Sequence, residues 1–299
     1  MSMISYSSFI DYLRYEKRSS EHTVTAYGRD LEQFARYMEE SLGIGALQDV
    51  TADDIRTWII TMLEDSGDTA RTVNRKLSAL KAFYRHEVKV GTLSDNPMRQ
   101  VRSPKFQKRL PVYVEQRDME HLFSDVEFGE EYEGVRDRLV LEMFYATGMR
   151  LSELLNLRKN SIDFTNNTLK VLGKRNKERI IPFGNKLRDL LTTHIGNYEK
   201  KFGTDIQNYY IFVAANGKKL YPKAIYRIVR KYLDMVTTID KRSPHVIRHT
   251  FATHMLNNGA DLNAIKEILG HGSLAATQVY THNSMEQLKS IYKQAHPRA

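Results

Sequence analysis

Apolar residues recur every three to four positions along the first third of the chain, which predicts a series of amphipathic helices. The pattern covers residues 7–18, 23–40 and 69–89, and a further helix follows Thr51. Thr51 with Asp54 three positions later is typical of a helix N-cap. We therefore expect a bundle of four or five helices over residues 1–98.

The rest of the chain mixes helical periods with two short β-type runs, 168–173 and 178–183, which flank a turn at 174–177. Helices are predicted at 115–124, 134–147, 150–158, 184–200, 223–236, 243–258, 261–269, 274–281 and 285–295. Ser284 and Gln287 form a capping-box pattern ahead of the last helix. The fold class expected is mainly α, with a small antiparallel β-sheet in a second domain, 113–299.

Residues 99–112 read as a linker between the two domains. Pro104 and Pro111, with Pro97 just before, disfavour helix. The basic residues of this stretch are Arg99, Arg102, Lys105, Lys108 and Arg109, without an acidic residue among them. Such a segment suits a phosphate backbone, and it equally fits an ordinary solvated linker.

The net positive charge of the chain favours a polyanionic binding partner. The chain has 299 residues, enough for two domains, and 45 Lys+Arg against 36 Asp+Glu give a net charge of +9. Residues 1–104 hold 14 basic and 15 acidic residues, a net of −1, so residues 105–299 carry +10. A basic but merely solvated surface is the alternative.

In the helix at 69–89, the residues divide into two faces at ~100° per residue. One face holds Arg71, Arg75, Ser78, Arg85 and Lys89, and the other holds Val73, Leu77, Leu80, Phe83 and Tyr84. The apolar face predicts a core contact. The basic face suits a DNA groove, and a solvated helix face explains it as well.

Several kinds of chemistry are excluded. Cysteine is absent, so disulfides, thiolate nucleophiles and Cys-ligated zinc cannot occur. His245 and His249 are four residues apart, but position 246 is Val rather than the Glu of a zinc-protease motif. No nucleotide-binding loop, signal peptide or membrane span is evident. We expect no metal, no cofactor, no membrane partner and a cytoplasmic location.

One ordered set of polar residues stands out. Each member alone has an ordinary structural explanation, such as a surface pair or a core side chain. The set consists of Arg150 in TGMRLSELLNL, Lys174 in GKRNKER, His245 and Arg248 in HVIRH, His271 after Leu269-Gly270, and Tyr280 in QVYTH.

With these flanks, the chain resembles the tyrosine recombinases of the phage integrase family, and among them the Xer recombinases that resolve chromosome dimers. The resemblance extends over nearly the whole sequence, to the terminal AHPRA. The family pattern is Arg, Lys, His-x-x-Arg, His or Trp, then Tyr, and every position is filled. Departures are Arg175, where relatives often have Gly, and Ala275-Ala276-Thr277 near the tyrosine.

The resemblance implies a site-specific recombinase that cuts and rejoins DNA through a 3′-phosphotyrosyl intermediate and a Holliday junction. Tyr280 is the implied nucleophile, Arg150 and Arg248 clamp the phosphate, and Lys174 is the general acid. His245 assists removal of the Tyr280 proton or holds the phosphate, and His271 donates a hydrogen bond to the phosphate. Neither ATP nor metal is required. For His249, a structural and a phosphate role stay open; Glu153 either orients an active-site side chain or pairs on the helix surface.

The resemblance to tyrosine recombinases also implies an N-terminal SAM-like core-binding domain and a clamp of two domains on double-stranded DNA. Expected DNA contacts are Arg71, Arg75, Arg85, Lys89, Lys105, Lys108, Arg109 and Arg175. Four protomers, in a homo- or hetero-tetramer, would join two sites, with a second Xer recombinase and a DNA translocase as further partners. The helix at 285–295 either docks into a neighbouring protomer or folds back on its own domain.

Two alternatives to an Xer-type recombinase remain. One is a mobile-element integrase with the same chemistry, which the short chain disfavours. The other is a DNA-binding module without activity, which the complete residue set disfavours.

Overall fold

The computed structural model describes residues 4–106, 112–173, 178–204, 207–270 and 282–298. By the contacts between its Cα atoms, the chain divides into two compact units, Met1–Arg109 and Leu110–Ala299. Within the described ranges, no helix is long and apolar enough to cross a bilayer.

The first unit is helical, as predicted. Its helices are α1 (Ser7–Asp11), α2 (Glu21–Leu42), α3 (Ala52–Glu64) and α4 (Ala70–Lys89), with 3₁₀ turns at Leu47–Asp49 and Pro97–Gln100. Aromatic side chains fill its core, where Phe34 packs edge-on against Trp58 at 5.1 Å between ring centroids. The predicted cap of α3 is confirmed, because Thr51 and Asp54 exchange hydrogen bonds between side chain and main chain.

The predicted helix at 7–18 is only partly right. The α-helix ends at Asp11, and a π-helix, Tyr12–Glu16, continues the chain with a hydrogen bond from the Lys17 amide to the Tyr12 carbonyl. Phe9 and Leu13, on either side of the change, are both buried. Because the apolar spacing is nearly the same for both helix types, the sequence pattern does not reveal the wider turn.

The stretch after α4 runs along the first unit as far as it is described. Arg56 donates to the carbonyl of Gln100 at 3.0 Å, and Asn74 donates to the carbonyl of Pro104 at 2.8 Å. The first part of the predicted linker is therefore fixed to α3 and α4. Residues 107–111, which include Lys108 and Arg109, lie outside the described residues.

The second unit is mainly helical with a small antiparallel sheet, and this prediction is confirmed. Its elements are α5 (Gln116–Ser124), α6 (Tyr132–Thr147), α7 (Leu151–Asn156), β1 (Ile162–Asp163), β2 (Thr168–Leu172), β3 (Glu178–Pro182), α8 (Asn185–Phe202), α9 (Pro222–Leu233), α10 (Pro244–Asn257), α11 (Leu262–Leu269) and α12 (His282–Ala295). Nearly all side chains of α6 are buried. The helices α8, α9 and α10 pack around it, which makes α6 the centre of the unit.

The sheet has the order β1-β2-β3, with one strand more than the sequence predicted. The additional strand, β1, has only two residues, which is too short to show an alternating pattern. In the hairpin, Val171 lies opposite Arg179 and Leu172 opposite Glu178. The predicted turn at 174–177, with Lys174 and Arg175, lies outside the described residues.

The last helix, α12, packs on its own unit in this structure. Leu288, Tyr292 and Ala295 are buried, and Asn258 at the end of α10 donates to the carbonyl of Ala295 at 2.9 Å. Docking into a neighbouring protomer stays a prediction. The helix predicted at 274–281 falls outside the described residues.

Candidate active site

Arg150 is the N-cap residue of α7 and lies two positions after Gly148, the C-cap residue of α6. Its main-chain amide donates to Oε2 of Glu153 at 2.6 Å, and its Nη1 donates to Oε1 of the same carboxylate at 2.8 Å. The Glu153 side chain is only 2% exposed, so it is a buried partner of Arg150 rather than a surface pair. Arg150 itself is 28% exposed and has access to solvent.

A third charged residue, Arg179 of β3, completes this contact, although the sequence analysis did not single it out. Its Nη1 and Nη2 donate to the two oxygens of Glu153 at 2.5 and 2.8 Å. Burial alone would raise the pKa of Glu153, but hydrogen bonds from Arg179 and Arg150 hold that pKa below its usual value. Glu153 is therefore ionised at neutral pH.

Arg248 of α10 binds main-chain carbonyls next to this cluster of Arg150, Glu153 and Arg179. Its Nη1 donates to the carbonyl of Gly148, and its Nη2 donates to the carbonyl of Leu269 at 2.7 Å. Burial, followed by the nearby cations Arg150 and Arg179, lowers the pKa of Arg248 to about 10. The guanidinium is therefore still charged at neutral pH, as phosphate binding requires.

The three arginines meet at the C-terminal end of α11. Three consecutive carbonyls, of Ile268, Leu269 and Gly270, accept from Arg179, Arg248 and Arg150 in that order. The last carbonyls of a helix lack partners within the helix and carry partial negative charge, so cations stabilise them. This end of α11 is thus fixed immediately before position 271.

The structure describes three of the six predicted catalytic residues, Arg150, His245 and Arg248. The structure brings Arg150 and Arg248 together at neighbouring carbonyls, whereas Lys174, His271 and Tyr280 lie outside the described residues. His245 is exposed in the first turn of α10, three positions before Arg248 and on the same side of the helix. His249 is half-buried, and its burial lowers its pKa.

The basic face predicted on α4 is exposed, and the opposite face is buried. The exposed members are Arg71, Arg75, Ser78, Arg85 and Lys89, and the buried ones are Val73, Leu77, Leu80, Phe83 and Tyr84. Arg75 also pairs with buried Asp30, and the Arg71 guanidinium lies 5.4 Å from the ring centroid of Phe106. Lys105 is exposed. Arg175, Lys108 and Arg109 lie outside the described residues.

A second basic face, on α9, was missed by the sequence analysis. Lys223, Tyr226, Arg227 and Arg230 are exposed and lie on one side of the helix. The buried side consists of Ile225, Ile228, Val229, Tyr232 and Leu233. Among the described residues, Lys223 and Arg227 pair with no acidic side chain, whereas Arg230 lies 3.7 Å from Asp234. The signal was present as the periodic pattern of KAIYRIVRK.

The comparison with known sequences agrees with this architecture. Residues 113–287 match the phage integrase family, and residues 7–90 match the phage integrase N-terminal SAM-like domain. The tyrosine recombinase XerC of Listeria innocua serovar 6a is 38% identical over 298 residues, covering 97% of both chains. The XerC of Chlorobaculum parvum is 36% identical over 315 residues, covering 97% of this chain and 94% of the relative.

Solved structures share the fold. The Tn1549 transposon integrase in complex with transposon right end DNA gives a TM-score of 0.72 at 22% identity, covering 95% of this chain and 98% of that one. XerH bound to a palindromic difH substrate gives a TM-score of 0.69 at 18% identity, covering 98% and 82%.

The chain therefore belongs to the phage integrase family, whose two domain models together span most of its length. Within that family it is a tyrosine recombinase of the Xer type, an enzyme of site-specific recombination. The identification made from the sequence is confirmed.

Proposed function

We propose that this recombinase uses Arg150 and Arg248 as a clamp for the scissile phosphate of DNA. The observation that carries the proposal is the convergence of both guanidinium groups on adjacent carbonyls, Gly270 and Leu269. Each arginine uses two of its nitrogens in these protein contacts, and further N–H groups remain for phosphate oxygens. Positioned charge of this kind stabilises a phosphoryl transition state.

The nucleophile in this proposal is Tyr280. Its phenolic oxygen attacks phosphorus, the bond from phosphorus to the 5′-oxygen breaks, and Lys174 gives that oxygen a proton. The phenolic proton passes to a base, for which exposed His245 is the candidate, and His271 donates a hydrogen bond to the phosphate. One phosphoester bond forms for each that breaks, so a 5′-hydroxyl of a partner strand can reverse the step without ATP.

DNA would contact both units through their basic helix faces. On α4 these are Arg71, Arg75, Arg85 and Lys89; on α9 they are Lys223, Arg227 and Arg230. Linker and hairpin contacts through Lys105, Lys108, Arg109 and Arg175 belong to the same proposal. Lysine and arginine at phosphates release counterions, which supplies sequence-independent affinity. The XerH and Tn1549 integrase structures are complexes with DNA, which supports a DNA partner here.

We further propose a tetramer on two DNA sites that passes through a Holliday junction, with α12 exchanged between protomers. Resolution of chromosome dimers is the biological role favoured by the many relatives named XerC. It would place the enzyme in the cytoplasm, with a second Xer recombinase and a DNA translocase as partners. The alternative is integration of a mobile element, because the Tn1549 transposon integrase has the same fold.

Covalent capture tests the proposal. The protein is incubated with a pool of random-sequence duplexes, denatured in detergent, and the DNA that stays attached is sequenced to map the cleavage point. A duplex nicked beside that point then traps the intermediate. The wild type and Tyr15→Phe, a change at an exposed tyrosine, should form the adduct, and Tyr280→Phe should not. DNA binding without any adduct would overturn the proposal.

A further inference from the structure

The Glu153 carboxylate is shared between two arginines. Oε1 accepts from Nη1 of both Arg150 and Arg179, and Oε2 accepts from the Arg150 amide and from Nη2 of Arg179. The side chains of Arg179 and Glu153 are 6% and 2% exposed. Arg179 therefore supplies two of the four hydrogen bonds that the Glu153 carboxylate accepts.

Arg179 makes a further contact that links three elements. Its Nε donates to the carbonyl of Ile268 at 2.8 Å, so one side chain on β3 binds both α7 and the end of α11. A Cβ atom at Gly270 would lie only 3.0 Å from Cδ of Arg179, which shows how closely that end of α11 approaches it. Along the chain, Arg179 comes two positions after residues 174–177, where the sequence predicts a turn.

Neutralising Glu153 does not require this arrangement. Arg150 alone balances the charge of the carboxylate, and the buried guanidinium of Arg179 adds repulsion between like charges beside Arg150 and Arg248. The fork of Arg179 instead fixes geometry, because both of its terminal nitrogens and its Nε are held at once.

We propose that Arg179 is a positioning residue for DNA cleavage, which holds the Arg150 guanidinium through Glu153 and fixes the end of α11 ahead of position 271. The inference rests on the proposed role of Arg150 at the scissile phosphate. Because Arg179 is buried, its replacement should leave DNA affinity unchanged. A small displacement of the clamp should lower the rate of cleavage on the order of 10–100-fold.

The test compares two substrates that differ only in charge at the scissile phosphorus. A methylphosphonate has a methyl group in place of one non-bridging oxygen and is uncharged, so its cleavage depends less on a guanidinium. Single-turnover adduct formation is measured on the phosphodiester and on the methylphosphonate, at saturating protein. The quantity compared is the rate on the phosphodiester divided by the rate on the methylphosphonate. This ratio reports how far the enzyme stabilises the negative charge at phosphorus, because partial unfolding of a preparation affects both rates equally.

Arg179→Lys keeps the charge but lacks the fork, so its ratio should fall at least tenfold toward that of Arg150→Ala. Arg188→Lys, at an exposed arginine of α8, should keep the wild-type ratio. Glu153→Gln probes the same link without altering Arg179 and should lower the ratio as well.

The outcomes separate the two claims. Wild-type adduct together with unchanged ratios in Arg179→Lys and Glu153→Gln would overturn the positioning role and leave the proposed function intact. If the wild type forms no adduct on the phosphodiester and none on the methylphosphonate, the proposed function is overturned, and the positioning role with it.

Discussion

Arg248 donates a hydrogen bond to the carbonyl oxygen of Gly148, the residue that ends α6 two positions before Arg150. Gly148 has φ +57°, and a Cβ atom there would lie 2.5 Å from Cδ1 of Phe251 and 2.7 Å from Cδ2 of Leu269. Glycine is therefore required both by the backbone conformation and by the space beside α10 and α11. The same close approach brings the carbonyl within reach of Arg248.

Gly148→Ala should lower the free energy of unfolding by about 2–4 kcal/mol, from ~1 kcal/mol of left-handed strain and ~1–3 kcal/mol of overpacking. The displaced Leu269 and Gly148 carbonyls should also slow adduct formation. Urea unfolding measures the first effect. The matched control is Gly196→Ala in α8, where nothing lies within 4 Å of the added Cβ, and it should stabilise by about 0.5–1 kcal/mol. Equal effects of the two changes would contradict the packing argument.

His296 should make the second unit sensitive to acid. Its Nε2 donates to the Tyr145 carbonyl at 2.9 Å, its Nδ1 accepts from the Arg298 amide at 3.0 Å, and burial lowers its pKa to about 3. In the unfolded chain, His296 takes up a proton as the pH falls through about 6.5, whereas in the folded chain it stays neutral until the pH approaches 3. Stability from this group is thus present above pH 6.5 and is lost as the pH falls toward 3, by about 1.4 kcal/mol per pH unit.

The measurement is urea unfolding at pH 7 and at pH 5. His296→Phe should be less stable at pH 7 but should show a shallower loss on acidification than the wild type. His22→Gln, at an exposed histidine of α2, should keep the wild-type dependence. A wild-type slope in His296→Phe would show that other groups govern the acid response.

Glu142 of α6 is a buried carboxylate whose cation comes from the far end of the sequence. It is 1% exposed and pairs with Arg298, and burial raises its pKa in spite of that partner. Arg298→Ala should destabilise by about 3 kcal/mol, because it leaves an acid in the core without its cation. Adding Glu142→Gln should restore much of the loss, since the remaining group is uncharged.

The control for this pair is Lys170→Ala, which breaks an exposed ion pair with Glu178 on the hairpin and should cost under about 1 kcal/mol. Thermal or urea unfolding of the single and double variants gives the interaction energy. If the two changes at Glu142 and Arg298 add without coupling, the buried pair has no energetic significance.

Arg227 on α9 should neutralise a DNA phosphate. Arg227→Gln should weaken DNA binding about equally on all sequences and reduce the slope of log affinity against log salt by about 1. Gel shifts at several salt concentrations measure this. Lys200→Gln, an exposed lysine at the end of α8, is the control and should keep the slope. Equal slopes in both variants would remove α9 from the DNA-binding surface.

The sequence predicted most helices of the chain because their apolar periods are long, and α10 and α11 begin within one residue of the predicted positions. It missed β1, which has only two residues, and the π-helical turn at Tyr12–Glu16, which shares its apolar spacing with an α-helix. The local pattern of apolar residues therefore does not distinguish a two-residue strand from a loop, or a π-helix from an α-helix.

Only part of the candidate site could be predicted from the sequence, namely the residues that lie in recognisable motifs. Arg150 and Arg248 were found through ordered motifs, whereas Arg179 lies in ERIIP, where an arginine near the start of a short strand suggests solvent. Its burial depends on Glu153 and on the Ile268 carbonyl, 26 and 89 positions away. Only the tertiary structure brings these partners together.

The three arginine contacts at the end of α11 are made to main-chain oxygens, so they do not depend on which side chains occupy positions 268 and 269. They do depend on helix length, because one residue changes the direction of a helical carbonyl by ~100°. Deleting or inserting a single residue within Leu262–Leu269 would misalign all three carbonyls together. Between α10 and position 271, the enzyme should tolerate substitution far better than any change in residue number.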